Sequence, residues 1–127
     1  PATPESYHMI NSETISRMKK GVVLINCARG SMIDTEALIA GLESGQIGGA
    51  ALDVLEKEDG LYYYNRMGDV IENRTMAILR SFPNVILSPH TAFYTERDVE
   101  NMMRYNFDSL YRFENGLDNP LEVKPTV

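Results

Sequence analysis

The sequence predicts an α/β fold with a parallel sheet. Three short apolar segments, each typical of a buried strand, alternate with segments whose apolar residues recur at helical spacing. A helix that connects two strands of one sheet makes a right-handed crossover, which leaves the strands parallel. Ligands of such sheets bind at the carboxyl ends of the strands, so the residues that follow each strand are the candidate functional residues.

The first helix and the first strand precede residue 28. Asn11 and Ser12 are good caps for a helix that runs to Lys20, and Gly21 follows it. Residues 22–27, VVLINC, form a continuous apolar and largely β-branched run. Such a run is typical of a strand that is covered on both faces of a parallel sheet.

The second helix and the second strand follow directly. Asp34 or Thr35 can cap a helix in which Leu38 and Leu42 lie four residues apart on one face. Gly45 is suited to end that helix, because glycine readily adopts the left-handed conformation found after helices. The next segment, GGAALDV, predicts the second strand.

An irregular acidic stretch separates these elements from the last three. Residues 55–72 contain several tyrosines and are long enough to form a functional loop. A third helix is predicted over residues 73–82, a third strand over 84–90, and a capped helix from Thr95 to about Gly116. The apolar stripe of that last helix consists of Val99, Met103, Phe107 and Leu110.

Composition argues against several classes of function. The net charge is −6 and the basic residues are scattered, which is unlike a surface that binds nucleic acid. Cys27 is the single cysteine, no apolar run is long enough for a membrane helix, and His8, Cys27 and His90 lack metal-ligand spacing. We therefore expect a cytoplasmic protein with no metal, membrane or nucleic-acid partner. Since the sequence begins at Pro1 without a leader, we expect a piece of a longer chain.

Charged residues follow the ends of the three predicted strands. Arg29, Asp53 and His90 should open on one rim of the sheet, and Glu58 can reach that rim if its loop turns back. Each has an ordinary structural explanation when taken singly. Together they supply the groups needed to bind a 2-oxo acid and protonate its carbonyl. These groups are a guanidinium that binds a carboxylate, a histidine that exchanges protons and an acid that favours the imidazolium form of that histidine.

Three segments carry a family resemblance: INCARGSMIDTEALIAGLESGQIGGAALDV, EKEDG and PNVILSPHTAFYTE. They resemble the carboxy-terminal half of the D-2-hydroxyacid dehydrogenases, in particular the D-lactate dehydrogenase branch. The resemblance implies the second half of a Rossmann-type NAD-binding domain over residues 1–93 and a helix and tail of the substrate domain over residues 94–127. The chain contains no G-x-G-x-x-G motif, and the resemblance implies that this phosphate-binding loop precedes it.

The same resemblance implies a role for each candidate residue. Arg29 would bind the substrate carboxylate and polarise its carbonyl, His90 would be the acid/base, and Glu58 would hydrogen-bond to His90. Asp53 would meet the nicotinamide carboxamide. The residues that would border the cofactor are Pro1, Cys27 and Ala28, and the one that would border the substrate is Phe93.

The function implied is the NADH-dependent reduction of a 2-oxo acid to a D-2-hydroxy acid in a homodimeric parent, with pyruvate to D-lactate as the first choice. A branched or aromatic 2-oxo acid is an alternative, which HTAFYTE and the tyrosines of the loop do not exclude. A dinucleotide-sensing protein similar to transcriptional corepressors and an inactive subdomain are alternative functions. Retention of Arg29, Glu58 and His90 does not separate them from the enzyme.

Overall fold

The computed structural model describes residues 2–70 and 72–123. The chain forms two compact units, which meet in sequence between residues 92 and 93. The helices and strands of the first unit are α1 (Ser12–Ser16), β1 (Val22–Asn26), α2 (Thr35–Glu43), β2 (Ile47–Leu52), α3 (Arg74–Ser81) and β3 (Val85–Leu87), with single 3-10 turns at Pro4–Ser6 and Gly30–Met32. The second unit contains α4 (Glu96–Glu114).

The three strands form one sheet in the order β1-β2-β3, and both pairs of neighbours are parallel. The predicted α/β class and the parallel sheet are therefore confirmed. Each observed strand falls within or overlaps its predicted segment and ends one to three residues earlier. The residues beyond the ends of the strands turn at the edge of the sheet instead of extending it.

The predicted capping residues begin their helices. Asn11 accepts hydrogen bonds from the backbone N–H groups of Glu13 and Thr14, and Asp34, Asn73 and Thr95 cap α2, α3 and α4. The first helix is shorter than predicted and ends at Ser16 instead of Lys20. The side-chain amide of Gln46 donates to the backbone oxygens of Ile15 and Met18, so these carbonyls are bonded without a continued helix.

The apolar core of the first unit lies on one face of the sheet. Leu38 of α2, Ile47 of β2 and Leu79 of α3 are almost completely buried in it. The opposite face carries Val23 and Ile25, which are 60% and 73% exposed. The expectation that the first strand is covered on both faces is therefore wrong for the described residues. Alternate side chains of a strand point to opposite faces, and here only one of these faces carries the core.

The second unit contains the long helix α4. None of its side chains is buried, and three of the four predicted stripe residues, Met103, Phe107 and Leu110, are more than half exposed. Among residues 2–70 and 72–123, no helix combines the length and the apolar composition needed to cross a membrane.

Candidate active site

The three strands end at the same edge of the sheet, and the predicted charged residues follow them there. The last residues of the strands are paired in register, Asn26 with Leu52 and Leu52 with Leu87. Arg29 lies three residues beyond β1, Asp53 directly after β2, and His90 three residues beyond β3. The rim that the sequence predicts is therefore present.

The turn after β1 is built around the buried side chain of Asn26. Its amide donates to the backbone oxygen of Arg29 at 2.9 Å, and its oxygen accepts from the N–H of Ala28 at 3.0 Å. Cys27 and Ala28 are exposed on this turn. Asn26 was not among the predicted site residues, although a polar side chain within an otherwise apolar strand segment is a signal that could have identified it.

Arg29 is exposed at the rim, and one of its guanidinium nitrogens donates to the backbone oxygen of Ala28 at 2.7 Å. The next residue must be glycine, because a β carbon at Gly30 would lie 2.1 Å from the backbone of Leu55. This close approach brings the turn after β1 against the loop after β2. Arg29 and Glu58 consequently line the same cleft, whose volume is about 420 Å³.

Glu58 and His90 form the pair that the sequence predicts. Nδ1 of His90 lies 2.7 Å from Oε1 of Glu58, and the two side chains are 28% and 19% exposed. The second carboxylate oxygen of Glu58 accepts from the N–H of Leu55 at 2.8 Å. The loop after β2 therefore turns back to the rim, and both carboxylate oxygens of Glu58 are hydrogen-bonded there. The contact is confirmed, and the catalytic role of the pair stays a prediction.

Asp53 organises the segment that carries His90. One carboxylate oxygen accepts from the Ser88 hydroxyl at 2.6 Å and the Thr91 N–H at 2.9 Å, and the other accepts from the Ala92 N–H at 2.8 Å. The backbone oxygen of Asp53 accepts from the His90 N–H at 2.8 Å. Burial acts to raise the pKa of Asp53, but these side-chain and backbone hydrogen bonds and the charge of His90 outweigh it and lower the pKa. Its predicted contact with the nicotinamide carboxamide stays a prediction.

A second histidine–carboxylate pair joins His8 to Glu56, which lies two residues before Glu58 in the same loop. Nε2 of His8 lies 2.7 Å from Oε1 of Glu56, and the other oxygen of Glu56 accepts from the N–H and hydroxyl of Thr35 at 3.2 and 2.9 Å. Burial acts to raise the pKa of Glu56, and the bonds from His8 and Thr35 outweigh it and lower the pKa. This pair was not predicted, because nothing in the sequence links positions 48 residues apart.

Two tyrosines of the loop lie close to the same groups. The hydroxyl of Tyr63 donates to the backbone oxygen of His90, and the two rings lie 6.2 Å apart between centroids. Tyr62 is half-buried, and burial together with the negative charge of Glu58 raises its pKa, against the opposing charge of Arg80. Tyr62 therefore remains a neutral phenol beside the carboxylate at physiological pH.

Strained backbone is concentrated around these two pairs. In the described part of the chain, the non-glycine residues with positive φ are His8, Lys57, Tyr63 and His90, at 49°, 55°, 66° and 52°. His8 and His90 belong to the two histidine–carboxylate pairs. Lys57 lies between the two carboxylates in sequence, and Tyr63 is hydrogen-bonded to His90. Left-handed conformations of such residues persist only where surrounding contacts enforce them, and they are frequent at functional sites.

The two remaining predicted site residues are Pro1 and Phe93. Pro1 lies outside the described residues. Phe93 belongs to the second unit, where its ring packs edge-on against that of Tyr94 with centroids 6.1 Å apart. Across residues 2–70 and 72–123, no group of three or more His, Cys, Asp or Glu side chains is arranged to hold a metal ion.

Residues 1–92 match the family model described as D-isomer specific 2-hydroxyacid dehydrogenase, NAD binding domain. NAD, the cofactor that the sequence resemblance implies, is thus the cofactor of the matched domain. Over 114 residues the chain is 50% identical to an aromatic 2-oxoacid reductase of Clostridium sporogenes, covering 90% of this chain and 34% of the reductase. It is 42% identical over 124 residues to a D-lactate dehydrogenase of Lactobacillus delbrueckii subsp. bulgaricus, covering 98% of this chain and 37% of that enzyme.

Solved structures agree with the match. A D-lactate dehydrogenase from Treponema pallidum superimposes with a TM-score of 0.90 at 40% identity, covering 98% of this chain and 38% of that one. An NAD-complexed enzyme from Lactobacillus delbrueckii ssp. bulgaricus, described as a D-isomer specific 2-hydroxyacid dehydrogenase, gives a TM-score of 0.86 at 36% identity, with the same coverage. The chain spans about a third of the length of the curated relatives it matches.

Proposed function

The chain belongs to the D-isomer specific 2-hydroxyacid dehydrogenase family, and we propose that it supplies the proton-transfer and substrate-anchoring groups of an enzyme that reduces a 2-oxo acid to a D-2-hydroxy acid with NADH. The observation that carries the proposal is the Glu58–His90 pair, 2.7 Å apart at the carboxyl edge of the sheet. This edge is where a sheet of this type binds its dinucleotide and substrate.

The residues after β1 fit a cofactor at this edge. Cys27 and Ala28 are small and exposed, and the bonds of Asn26 hold the backbone of their turn. We assign Cys27, Ala28 and Asp53, together with Pro1 from the family resemblance, to the nicotinamide end of NAD. When bound, NADH supplies the hydride that is added to the carbonyl carbon of the substrate.

His90 supplies the proton that the carbonyl oxygen takes up in the same reaction. The carboxylate of Glu58 accepts the hydrogen bond of Nδ1–H, which keeps that proton on Nδ1 and orients the ring. Proton donation to the substrate then occurs from Nε2, and the ring returns to the neutral form. The ring must carry this second proton before reduction can occur.

Arg29 anchors the substrate. Its guanidinium is exposed at the rim and lines the same cleft as Glu58. A planar guanidinium binds a carboxylate through two parallel hydrogen bonds, and its positive charge also stabilises the negative charge that develops on the carbonyl oxygen.

Pyruvate, reduced to D-lactate, is the substrate that we propose first. A D-lactate dehydrogenase superimposes on the chain with a TM-score of 0.90, which supports this choice. An aromatic 2-oxo acid is the second candidate, and the 50% identity to the aromatic 2-oxoacid reductase of Clostridium sporogenes supports it. We also propose that Phe93 borders the substrate, that residues 94–127 belong to the substrate domain, and that the intact protein is a cytoplasmic homodimer.

The experiment is a comparison of substrates with the intact protein that carries these 127 residues. Loss of NADH absorbance is followed with pyruvate, phenylpyruvate and 4-methyl-2-oxopentanoate, and the hand of the product is determined by chiral chromatography. We expect turnover of at least one of the three and a D product. An L product would contradict the proposal, and NADH binding without turnover of any of them would favour a dinucleotide-sensing protein instead.

A further inference from the structure

The loop after β2 makes a second contact with His90, at the backbone of the histidine, which has no role in the proposed mechanism. The hydroxyl of Tyr63 donates to the backbone oxygen of His90, and the two ring planes are inclined by 51°. Tyr63 itself has a φ of 66°, so its backbone adopts a conformation that a tyrosine rarely occupies. The residue is 68% exposed, and burial of its ring therefore does not explain why it is held there.

His90 has a φ of 52° and requires contacts that hold this conformation. Its N–H donates to the backbone oxygen of Asp53 at 2.8 Å, which fixes the peptide on the amino side. Its ring is bonded to Glu58 at 2.7 Å. The Tyr63 hydroxyl holds the backbone oxygen of His90, which belongs to the peptide on the carboxyl side. The three bonds thus restrain the two peptides that flank His90 and the ring between them.

We propose that Tyr63 is a positioning residue for His90. Its hydroxyl keeps the peptide between His90 and Thr91 in the orientation that directs the imidazole at Glu58 and at the substrate. The inference rests on the proposed function of His90 as the proton donor. Tyr63 exchanges no proton in the reaction, and its phenol adds no charge to the pair. Loss of the hydroxyl should therefore reduce the fraction of molecules with a correctly oriented ring while leaving the titration of the pair unchanged.

The test compares Tyr63→Phe with Tyr64→Phe in the intact protein. Both substitutions remove one hydroxyl from neighbouring tyrosines of similar exposure, 68% and 70%, and it is the Tyr63 hydroxyl that donates to the backbone oxygen of His90. A hydrogen bond of this kind is worth a factor of about three to ten in a population. We expect Tyr63→Phe to lower kcat about three- to tenfold, with KM for the 2-oxo acid within about twofold and both limbs of the pH profile unmoved. Tyr64→Phe should match the wild type.

A second measurement does not depend on turnover. The imidazole signals of His90 are recorded by NMR in the wild type and in both variants, and we expect them to change in Tyr63→Phe alone. Unchanged kcat and unchanged signals in Tyr63→Phe would overturn the proposal, as would equal losses in both variants. A raised KM at constant kcat would also overturn it, because Tyr63 would then act in substrate binding. If the wild type reduces no 2-oxo acid, the proposed function fails, and the NMR comparison still decides whether Tyr63 positions His90.

Discussion

The two histidine–carboxylate pairs have matching distances and exposures but use different ring nitrogens, Nε2 in His8 and Nδ1 in His90. Each has a nitrogen–oxygen distance of 2.7 Å, and the side-chain exposures are 28% and 20% for His8 and Glu56 and 28% and 19% for His90 and Glu58. Both histidines have left-handed backbones, and the two carboxylates are separated by a single residue. Distance, exposure and backbone strain therefore do not tell which pair transfers protons.

The pairs differ in what else they hold. Glu56 uses its second oxygen on Thr35, the first residue of α2, and so joins the amino-terminal segment of the described chain to that helix. Glu58 uses its second oxygen on the N–H of Leu55 within its own loop. His90 follows a strand of the sheet, whereas His8 follows a single 3-10 turn. The position of a pair at the carboxyl edge of the sheet, more than its geometry, identifies the candidate proton donor.

Replacement of the histidines should separate the pairs most strongly. In the intact protein, His90→Gln removes the group that gives up a proton, and we expect kcat for 2-oxo acid reduction to fall about 100-fold or more. His8→Gln should leave kcat within about threefold of the wild type. Steady-state kinetics with NADH at saturation measures both. Comparable losses in the two variants would contradict the assignment of proton donation to His90 and not to His8.

Substrate reduction should also depend on the planar shape of the Arg29 guanidinium, not only on its charge. Lysine in place of Arg29 keeps the charge and loses the planar fork. We expect Arg29→Lys to raise KM for the 2-oxo acid and to lower kcat, with kcat/KM falling about 10- to 100-fold and NADH affinity little changed. Isothermal titration with NADH is the control for cofactor binding. An unchanged kcat/KM would mean that Arg29 has only a surface role.

The pair at His8 should instead support stability. Glu56→Gln keeps the size of the side chain but weakens the bonds to His8 and Thr35, and we expect the free energy of unfolding at pH 5.5 to fall by about 1–3 kcal/mol. The folded-state pKa of Glu56 is lowered, so its contribution is present above the unfolded pKa of about 4.3 and is lost as the pH falls through the folded value.

Urea denaturation at pH 5.5 and pH 3 measures this effect. The difference between wild type and Glu56→Gln should shrink at pH 3, and Glu56→Asp serves as a variant that retains the charge. A difference that is the same at both pH values would show that the ionised carboxylate of Glu56 does not stabilise the fold.

Local sequence signals were sufficient for the fold. The caps Asn11, Asp34 and Thr95 begin helices as predicted, because a side-chain oxygen that binds free N–H groups acts within three residues. The alternation of strands and helices was sufficient for the parallel sheet. The end of α1 was not predictable in this way, since it depends on the amide of Gln46, which lies about 30 residues away in sequence.

The candidate site was predictable where it follows strand ends and not where it depends on distant contacts. The sequence placed Arg29, Asp53 and His90 on one rim, and the Glu58–His90 contact followed from a loop that turns back. The partner of Glu56 was not predictable, because it is His8 in a separate part of the chain. The bond from Tyr63 to His90 likewise depends on the path of an irregular loop, for which the sequence carries no periodic signal.

The most direct test of the account is kcat/KM in the intact protein for Glu58→Gln and its matched control Glu56→Gln, measured in both reaction directions. His90 gives up a proton in reduction and takes it back in oxidation, so a wrongly oriented ring slows both directions. Without the charge-assisted hydrogen bond that Glu58 accepts from Nδ1 of His90, kcat/KM should fall about 10- to 100-fold in each direction. Glu56→Gln should match the wild type in both directions. A kcat/KM of Glu58→Gln equal to that of the wild type, or an equal loss in Glu56→Gln, would contradict the assignment of proton transfer to the Glu58–His90 pair.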